Sequence, residues 1–388
     1  MSHSNTILHQ LLTLLPRHRF DSFVSSRGGD RYVKKFTTWK QLTVLLYAQA
    51  SGKISLRDIT NGLELQQKRT YHLGFDEPVT RSTLADANAR RSYKIYEDLF
   101  YALLERCRDL TPKHRFRFKN PLYSLDATMI ELSLASFPWA RWRARKGALR
   151  LHYKLDHSGH IPVFMVMTDG KTQEITMARE HISITPDSIY CFDKGFTDYA
   201  WFRRITDGNA FFVTRAKENM DGRFIGQHEV SKSKGVVFDE LIELGGVIAR
   251  GDYPGKLRRI GFFDFETGRY FEFLTNNFTL AAGTIALIYK ARWQIEIFFK
   301  WVKQNLKIKT FLGVSKNAVL TQIWVAMCYY LLLTYVKYQT RYKSSLHYLH
   351  RVVRETLMER ANLLDLLNLN DTRLEKFKRQ DPQLCLQL

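Results

Sequence analysis

The sequence predicts an α/β chain: a mixed β-sheet core interrupted by a β-strand insertion and flanked by helical N- and C-terminal regions. Three observations predict it. Residues 1 to about 118 carry helical spacing and basic charge, the pattern turns strand-like from residue 121, and helical spacing dominates again from about 279 to the C-terminus.

In the first region, "TWKQLTVLLYAQASG" (38–52) has apolar positions at helical spacing and ends on Gly52. "SLRDITNGLEL" (55–65) opens on Ser55, a good N-cap. After a turn around Pro78, Thr80 or Ser82 can cap a helix that carries Arg90 and Arg91. A short helix, a turn and a basic second helix form the footprint of a DNA-binding bundle, so residues 1–118 are expected to meet DNA through these two arginines. A three-helix bundle with solvated arginines has the same pattern.

The strand region begins with "LYSLDATMIELSL" (122–134), "LRLHYKLDH" (149–157) and "IPVFMVMTDG" (161–170), the last two joined across "HSGH". These three read as an antiparallel meander. A helix around "EITMAREHI", a strand "SIYCFD" (188–193), a helix "TDYAWFRRITDG" (197–208) and a strand "AFFVTRAK" (210–217) follow. Three meander strands and then two strands linked by helices is the order of a ribonuclease-H-like core. Its first part is assigned to 119–218, a β-rich insertion to 219–278, the closing core helix to 279–314 and a helical C-terminal region to 315–388.

Composition bounds the partners. The 59 Lys and Arg against 38 Asp and Glu leave a net charge of +21, which points to a large polyanion, most simply nucleic acid. "MSHSNTILHQLLTLLPRHRF" lacks the basic and small-residue signature of a signal peptide and reads as an amphipathic helix. Cys107, Cys191, Cys328 and Cys385 are too scattered for a zinc spacing or a small disulfide framework, so a cytoplasmic setting is expected. The apolar stretch 318–338 approaches spanning length, but Thr321 and Gln322 interrupt it, and a buried core helix with no membrane partner is the expectation.

Three carboxylates stand out. Asp126 sits among apolar neighbours in the first core strand, where an acid is costly unless paired or coordinated. Asp193 ends the fourth strand, a position that also suits a helix cap. Glu296 belongs to "IYKARWQIEIFFKWVKQNL" (288–306), predicted as one helix. On a helical wheel Ile288, Ala291, Ile295, Phe298, Phe299, Val302 and Leu306 make a core-facing arc of roughly 100°. Tyr289, Arg292, Glu296, Lys300 and Lys303 share another arc, with Trp293 at its edge. Three cations exceed what one acid needs for pairing, and they suit a phosphodiester backbone. Two Asp and one Glu on neighbouring elements supply the hard oxygen ligands for two Mg²⁺ ions about 4 Å apart, with Mn²⁺ able to substitute. His152, His157 and His160 lack a zinc spacing and are read as strand or turn residues, with His152 also a phosphate-contact candidate.

Tyr289, Arg292, Glu296 and Lys303 reproduce the Y-x2-R-x3-E-x6-K signature, and over residues 121–310 the chain resembles the bacterial insertion-sequence transposases with an Asp-Asp-Glu triad, insertion-sequence family four. The resemblance matches Asp126 and Asp193 to the first two acids, and "FPWARWRARKGALRLHYKLD" (137–156) to the tract after the first. It implies an enzyme that binds the terminal inverted repeats of its own element as duplex DNA and cleaves with metal-activated water, freeing a 3′-hydroxyl that then attacks the opposite strand or target DNA. It also implies a homodimer that pairs two ends. In several relatives a hairpin forms and an aromatic side chain of the insertion receives a flipped base. Residues 219–278 hold no Trp, so that role falls to a Phe or Tyr, or the hairpin step is absent.

"PWARWRARKGALR" adds a basic tract in which Arg141, Arg143, Arg145 and Lys146 surround Trp139 and Trp142, a pattern suited to DNA. A metal-dependent nuclease on the same core would cut without joining. A catalytically inactive DNA-binding relic would bind without cutting, but the intact acids argue against it.

Overall fold

The structure, a computed structural model, describes residues 5–143, 146–229, 235–305 and 311–368. Seven helices come first: α1 (Ile7–Thr13), α2 (Arg17–Ser26), α3 (Thr38–Ser51), α4 (Leu56–Leu65), α5 (Gln67–Thr70), α6 (Arg81–Arg90) and α7 (Lys94–Arg108). The strand region holds β1 (Leu122–Leu132), β2 (Arg141–Arg143), β3 (Lys146–Asp156), β4 (Ile161–Asp169), α8 (Glu174–His181), β5 (Ile189–Phe192), α9 (Tyr199–Asp207) and β6 (Phe211–Arg215). Next come β7 (Gly222–Gln227), β8 (Val236–Leu244), α10 (Val247–Asp252), β9 (Leu257–Asp264) and β10 (Arg269–Thr275). The chain continues through α11 (Ala282–Ala291), α12 (Trp293–Asn305), α13 (Lys316–Gln339) and α14 (Leu346–Thr356).

Two compact units result, Met1–Thr111 with Trp301–Leu388, and Pro112–Lys300. In the helical unit Thr37, Ser55 and Thr80 cap α3, α4 and α6 by accepting from the backbone N–H three residues on, and Gly52 at φ 68° ends α3. The apolar helix α13 is long enough to cross a membrane, yet 94% of its most apolar window is buried inside this unit, against α3, α6, α7 and α14. Its first turn is fastened by Asn317, whose amide donates to the carbonyls of Asn88 (2.9 Å) and Arg91 (2.7 Å) and accepts from the Tyr93 N–H (3.1 Å). Cys107 and Cys328 are buried free thiols here, as is Cys191 in the second unit; Cys385 lies outside the described residues.

In the second unit one mixed ten-stranded sheet has the order β2-β3-β1-β5-β6-β10-β9-β8-β7, with β4 on β3. β3 is antiparallel to β1 and β4, while β1, β5 and β6 are parallel, which is the ribonuclease-H-like arrangement. All four β5 residues are buried, as expected of a central parallel strand covered on both faces. One face packs Leu125, Phe192 and Phe212 with Trp201 and Phe202 of α9; the other packs Cys191, Val213 and Phe273 with Ile285 and Ile288 of α11.

The insertion continues this sheet, since β10 pairs antiparallel with β6. Asn276 secures the join: its Oδ1 accepts from the Phe212 N–H (2.9 Å) and its Nδ2 donates to the Ala210 carbonyl (2.9 Å). Within the insertion Arg258 pairs with Asp239 through two bonds of 2.6 and 2.7 Å, and both side chains are at most 5% exposed. Arg258→Met strands a buried carboxylate and is expected to cost about 3–5 kcal/mol in urea unfolding. Arg258→Met with Asp239→Leu should recover most of that loss; a double variant no better than the single would refute the ion-pair account.

Candidate active site

Strand register brings the first two acids side by side. β1 runs parallel to β5 with Leu125 opposite Phe192 as the last pair, so Asp126 and Asp193 follow it on neighbouring strands. Ligands of open α/β sheets bind at this edge, beyond the carboxyl ends of parallel strands. Asp193 Oδ1 accepts from the Lys194 N–H (2.8 Å), the capping role its position suits, and also from the Tyr289 hydroxyl (3.1 Å).

The expected single helix over 288–306 is two helices, α11 and α12, with Arg292 at the break. Bonds from Arg292 N to Tyr289 O and from Ile295 N to Arg292 O, each 3.0 Å, tighten the chain into three-residue turns. This turn lets Tyr289 and Arg292 meet different acids. Arg292 Nη1 donates to Asp126 Oδ2 at 2.9 Å and lies 3.4 Å from Glu296 Oε1. The apolar stripe keeps its place across the break, with Ile288, Ile295, Phe298, Phe299 and Val302 buried; Leu306 lies outside the described residues.

Burial pushes the Asp126 carboxyl up to about 7, against the pull of Arg292 and the Ala127 N–H, and Glu296 and Glu174 raise it further. Burial opposes the Arg292 charge, but Tyr289 and Asp126 outweigh it and hold the guanidinium above its ordinary value. Burial, reinforced by the Asp193 charge, raises the Tyr289 phenol. Glu174, in the first turn of α8, joins this electrostatic group. Its carboxyl is raised first by burial and then by Asp193, while Arg150 and Arg292 pull it down. Sequence reasoning missed Glu174, because it stands in an ordinary helix-start position and only the fold sets it near the strand-end acids.

Among the described residues no three acid, His or Cys groups already form a metal-ion cage. The donor set nevertheless fits a hard divalent cation. Its donors are carboxylate oxygens, and Asp126 and Glu296 already share a cation, the Arg292 guanidinium.

The other expected DNA contacts divide. Trp293 is 61% exposed, and Lys300, Arg141 and Lys146 are exposed, whereas Lys303 is half-buried. Arg145 and the side chain of Arg143 lie outside the described residues. His152 is fully buried, with Nε2 2.8 Å from Thr168 Oγ1, and burial lowers its pKa to about 4, so it is a neutral strand residue with no outlet to phosphate. Arg90 is exposed and pairs with Asp86, but Arg91 is one-tenth exposed and spends its guanidinium on the Phe36 carbonyl and Gln41 Oε1.

A cavity of about 530 Å³ opens beside the acids. Asp193, Tyr289, Arg292 and Trp293 line one side, and phenylalanines of the β9–β10 hairpin line the other. The Phe273 ring packs tilted against Tyr289 with centroids 5.0 Å apart, the Arg215 guanidinium lies 5.4 Å from the Phe271 ring, and Phe265 at the hairpin tip is 75% exposed. The family resemblance implies either a Phe or Tyr of the insertion as a base receiver or no hairpin step, without naming a residue.

Residues 117–332, over half of the chain, match the family described as transposase DDE domain, and residues 3–76 match a domain of unknown function, DUF4372. A putative transposase, y4zB, of Sinorhizobium fredii is 35% identical over 256 residues, which span 64% of this chain and 69% of that protein. A probable transposase for insertion sequence element IS5377 of Geobacillus stearothermophilus is 27% identical over 269 residues, 68% of this chain and 69% of that protein. Among solved structures, the piggyBac transposase synaptic complex with hairpin DNA aligns over 94% of this chain and 79% of that one at 11% identity, with a TM-score of 0.44. With Asp126 and Asp193 at the ends of adjacent strands, Glu296 on α12, and the family match running through all three positions, the chain belongs to the DDE-domain transposases of insertion sequences.

Proposed function

We propose that this transposase binds the terminal inverted repeats of its own insertion sequence as duplex DNA and performs strand cleavage and strand transfer at Asp126, Asp193 and Glu296, by a cut-and-paste route. The observation that carries the reading is the Arg292 guanidinium between Asp126 and Glu296, with Asp193 on the adjacent strand tethered by Tyr289. Two divalent ions, Mg²⁺ or Mn²⁺, held by these three carboxylates would supply an activated attacking oxygen and a stabilised leaving oxygen. Tyr289 orients the Asp193 carboxylate. Arg292 keeps Asp126 and Glu296 together and offers a cation to the scissile phosphate. Lys300, Trp293, Arg141 and Lys146 are exposed to grip the flanking backbone. The aromatic cavity beside Asp193 suits a base displaced from the DNA end, with Phe265 and Phe271 in the role otherwise filled by a tryptophan. Pairing two ends calls for at least a homodimer, acting in the cytoplasm on the nucleoid.

The test is incubation of a supercoiled plasmid, carrying the gene with several hundred flanking base pairs on each side, with Mg²⁺ or with EDTA. Metal-dependent breaks at two fixed flanking positions are expected. Scattered breaks would instead mean a nuclease, and binding without breaks in any metal would mean a DNA-binding relic.

A further inference from the structure

In the helical unit the segment between α2 and α3, "RGGDRYVKKF" (27–36), forms a rigid turn, and its residue in the strained conformation is also its most exposed aromatic. Tyr32 has φ 62°, in the left-handed region that side chains rarely adopt, and is 87% exposed. The surrounding structure holds it there. Asp30 Oδ1 accepts from both the N–H and the hydroxyl of Thr38 at 2.7 Å, and Arg27 is tied to Asp98 of α7 at 2.9 Å. Bonds from Arg31 N to Gly28 O (3.2 Å) and from Val33 N to Asp30 O (3.0 Å) close the turn. Gly29 is buried at the start of the turn, where an added Cβ would meet Ile95 at 2.8 Å. An exposed ring has no folding reason to occupy a strained backbone position, so such an outlier points to function.

The same turn walls a cleft of about 680 Å³ whose opposite side is α6. Its cations include Arg31, Lys34, Lys35 and Arg90, against a single lining acid, Asp86. Arg31 and Lys34 are exposed and have no carboxylate partner within ion-pair distance among the described residues. Lys35–Glu77 and Arg90–Asp86 are exposed pairs, with every side chain more than half exposed, and such pairs exchange for phosphate at little cost. The Arg31 guanidinium lies 5.1 Å from the Tyr32 ring, so cation and ring are presented together.

We propose that this cleft is a second DNA site, apart from the strand-end acids: Arg31, Lys34 and Lys35 hold the phosphates of duplex DNA while the exposed Tyr32, its ring beside the Arg31 guanidinium, packs on an adjacent sugar. This gives a binding role to the segment that matches the domain of unknown function, and adds residues that reach solvent to the part-buried Arg91 in the same cleft. It rests on the reading that the protein acts on DNA. Duplex DNA is favoured over an acidic peptide because Arg31 and Lys34, which face no carboxylate, share one cleft with the exchangeable cations Lys35 and Arg90, and such a run of cations matches regularly spaced phosphates.

The test uses the full chain and a labelled linear fragment carrying the gene's flanking sequence, with affinity followed across a salt titration. Arg31→Ala with Lys34→Ala is expected to reduce the slope of log affinity against log salt by about 2 and to weaken binding about tenfold or more. Tyr32→Gly is expected to weaken binding about tenfold while its melting temperature stays level or rises, because glycine accepts the positive φ without strain. Wild-type binding with a steep salt slope that neither variant alters would overturn this site and leave the transposase reading standing. Failure of the wild type itself to bind the fragment would overturn both.

Discussion

Glu296→Gln is expected to leave the fold and DNA affinity intact and to lower metal-dependent cleavage at least about 10³-fold, equivalent to about 4 kcal/mol of transition-state free energy. The substitution keeps the shape of the side chain and removes only its charge. Glu296 is 38% exposed, and its contact with Arg292 is long at 3.4 Å, so the pair contributes little to stability. Binding rests on exposed cations that the variant retains. Chemistry rests on a hard anionic donor, which an amide replaces poorly. Urea unfolding and fragment binding within experimental scatter of wild type, with plasmid breaks lost, is the expected combination. A Gln variant that still cuts at the wild-type rate would remove Glu296 from the site.

Asp126 was legible because an acid inside an apolar strand contradicts its surroundings, and the run of three strand-like segments followed by strands linked through helices pointed to the sheet that carries it. Asp193 was less so, because its capping bond to the Lys194 N–H is a sufficient local reason for an acid there. What raises it above a cap is the neighbouring register of β1 and β5, and register depends on pairing between distant segments. The break at Arg292 was hidden for a similar reason. Every residue from 288 to 306 tolerates a helix, and the tightened turn accompanies bonds to strand-end acids far off in sequence. The strands β8, β9 and β10 could be read from composition, but their continuation of the core sheet through β6 could not. Arg90 and Arg91 are alike in sequence, and only the bonds of Arg91 to Phe36 and Gln41 separate the part-buried one from the exposed one.

Arg292→Ala is expected to have the other large effect, and its sign depends on whether a divalent cation is present. In the metal-free chain Arg292 and Asp126 are 12% and 14% exposed and joined at 2.9 Å, so removing the guanidinium leaves a nearly buried carboxylate without its partner and faces it with Glu296. The loss is expected to be about 3 kcal/mol by urea unfolding in EDTA. A cation that binds the folded state alone stabilises it by mass action, and in the variant it no longer competes with the guanidinium for Asp126 and Glu296. Added Mn²⁺ should therefore raise the melting temperature of Arg292→Ala by more than it raises that of the wild type, although the variant starts lower. The same side chain, once off Asp126, is free to hold a phosphate, so the variant is also expected to bind DNA more weakly in Mn²⁺ than the wild type does. Equal thermal shifts in the two proteins would show that the cation and Arg292 do not share these carboxylates, and the three acids would then need another explanation for their convergence.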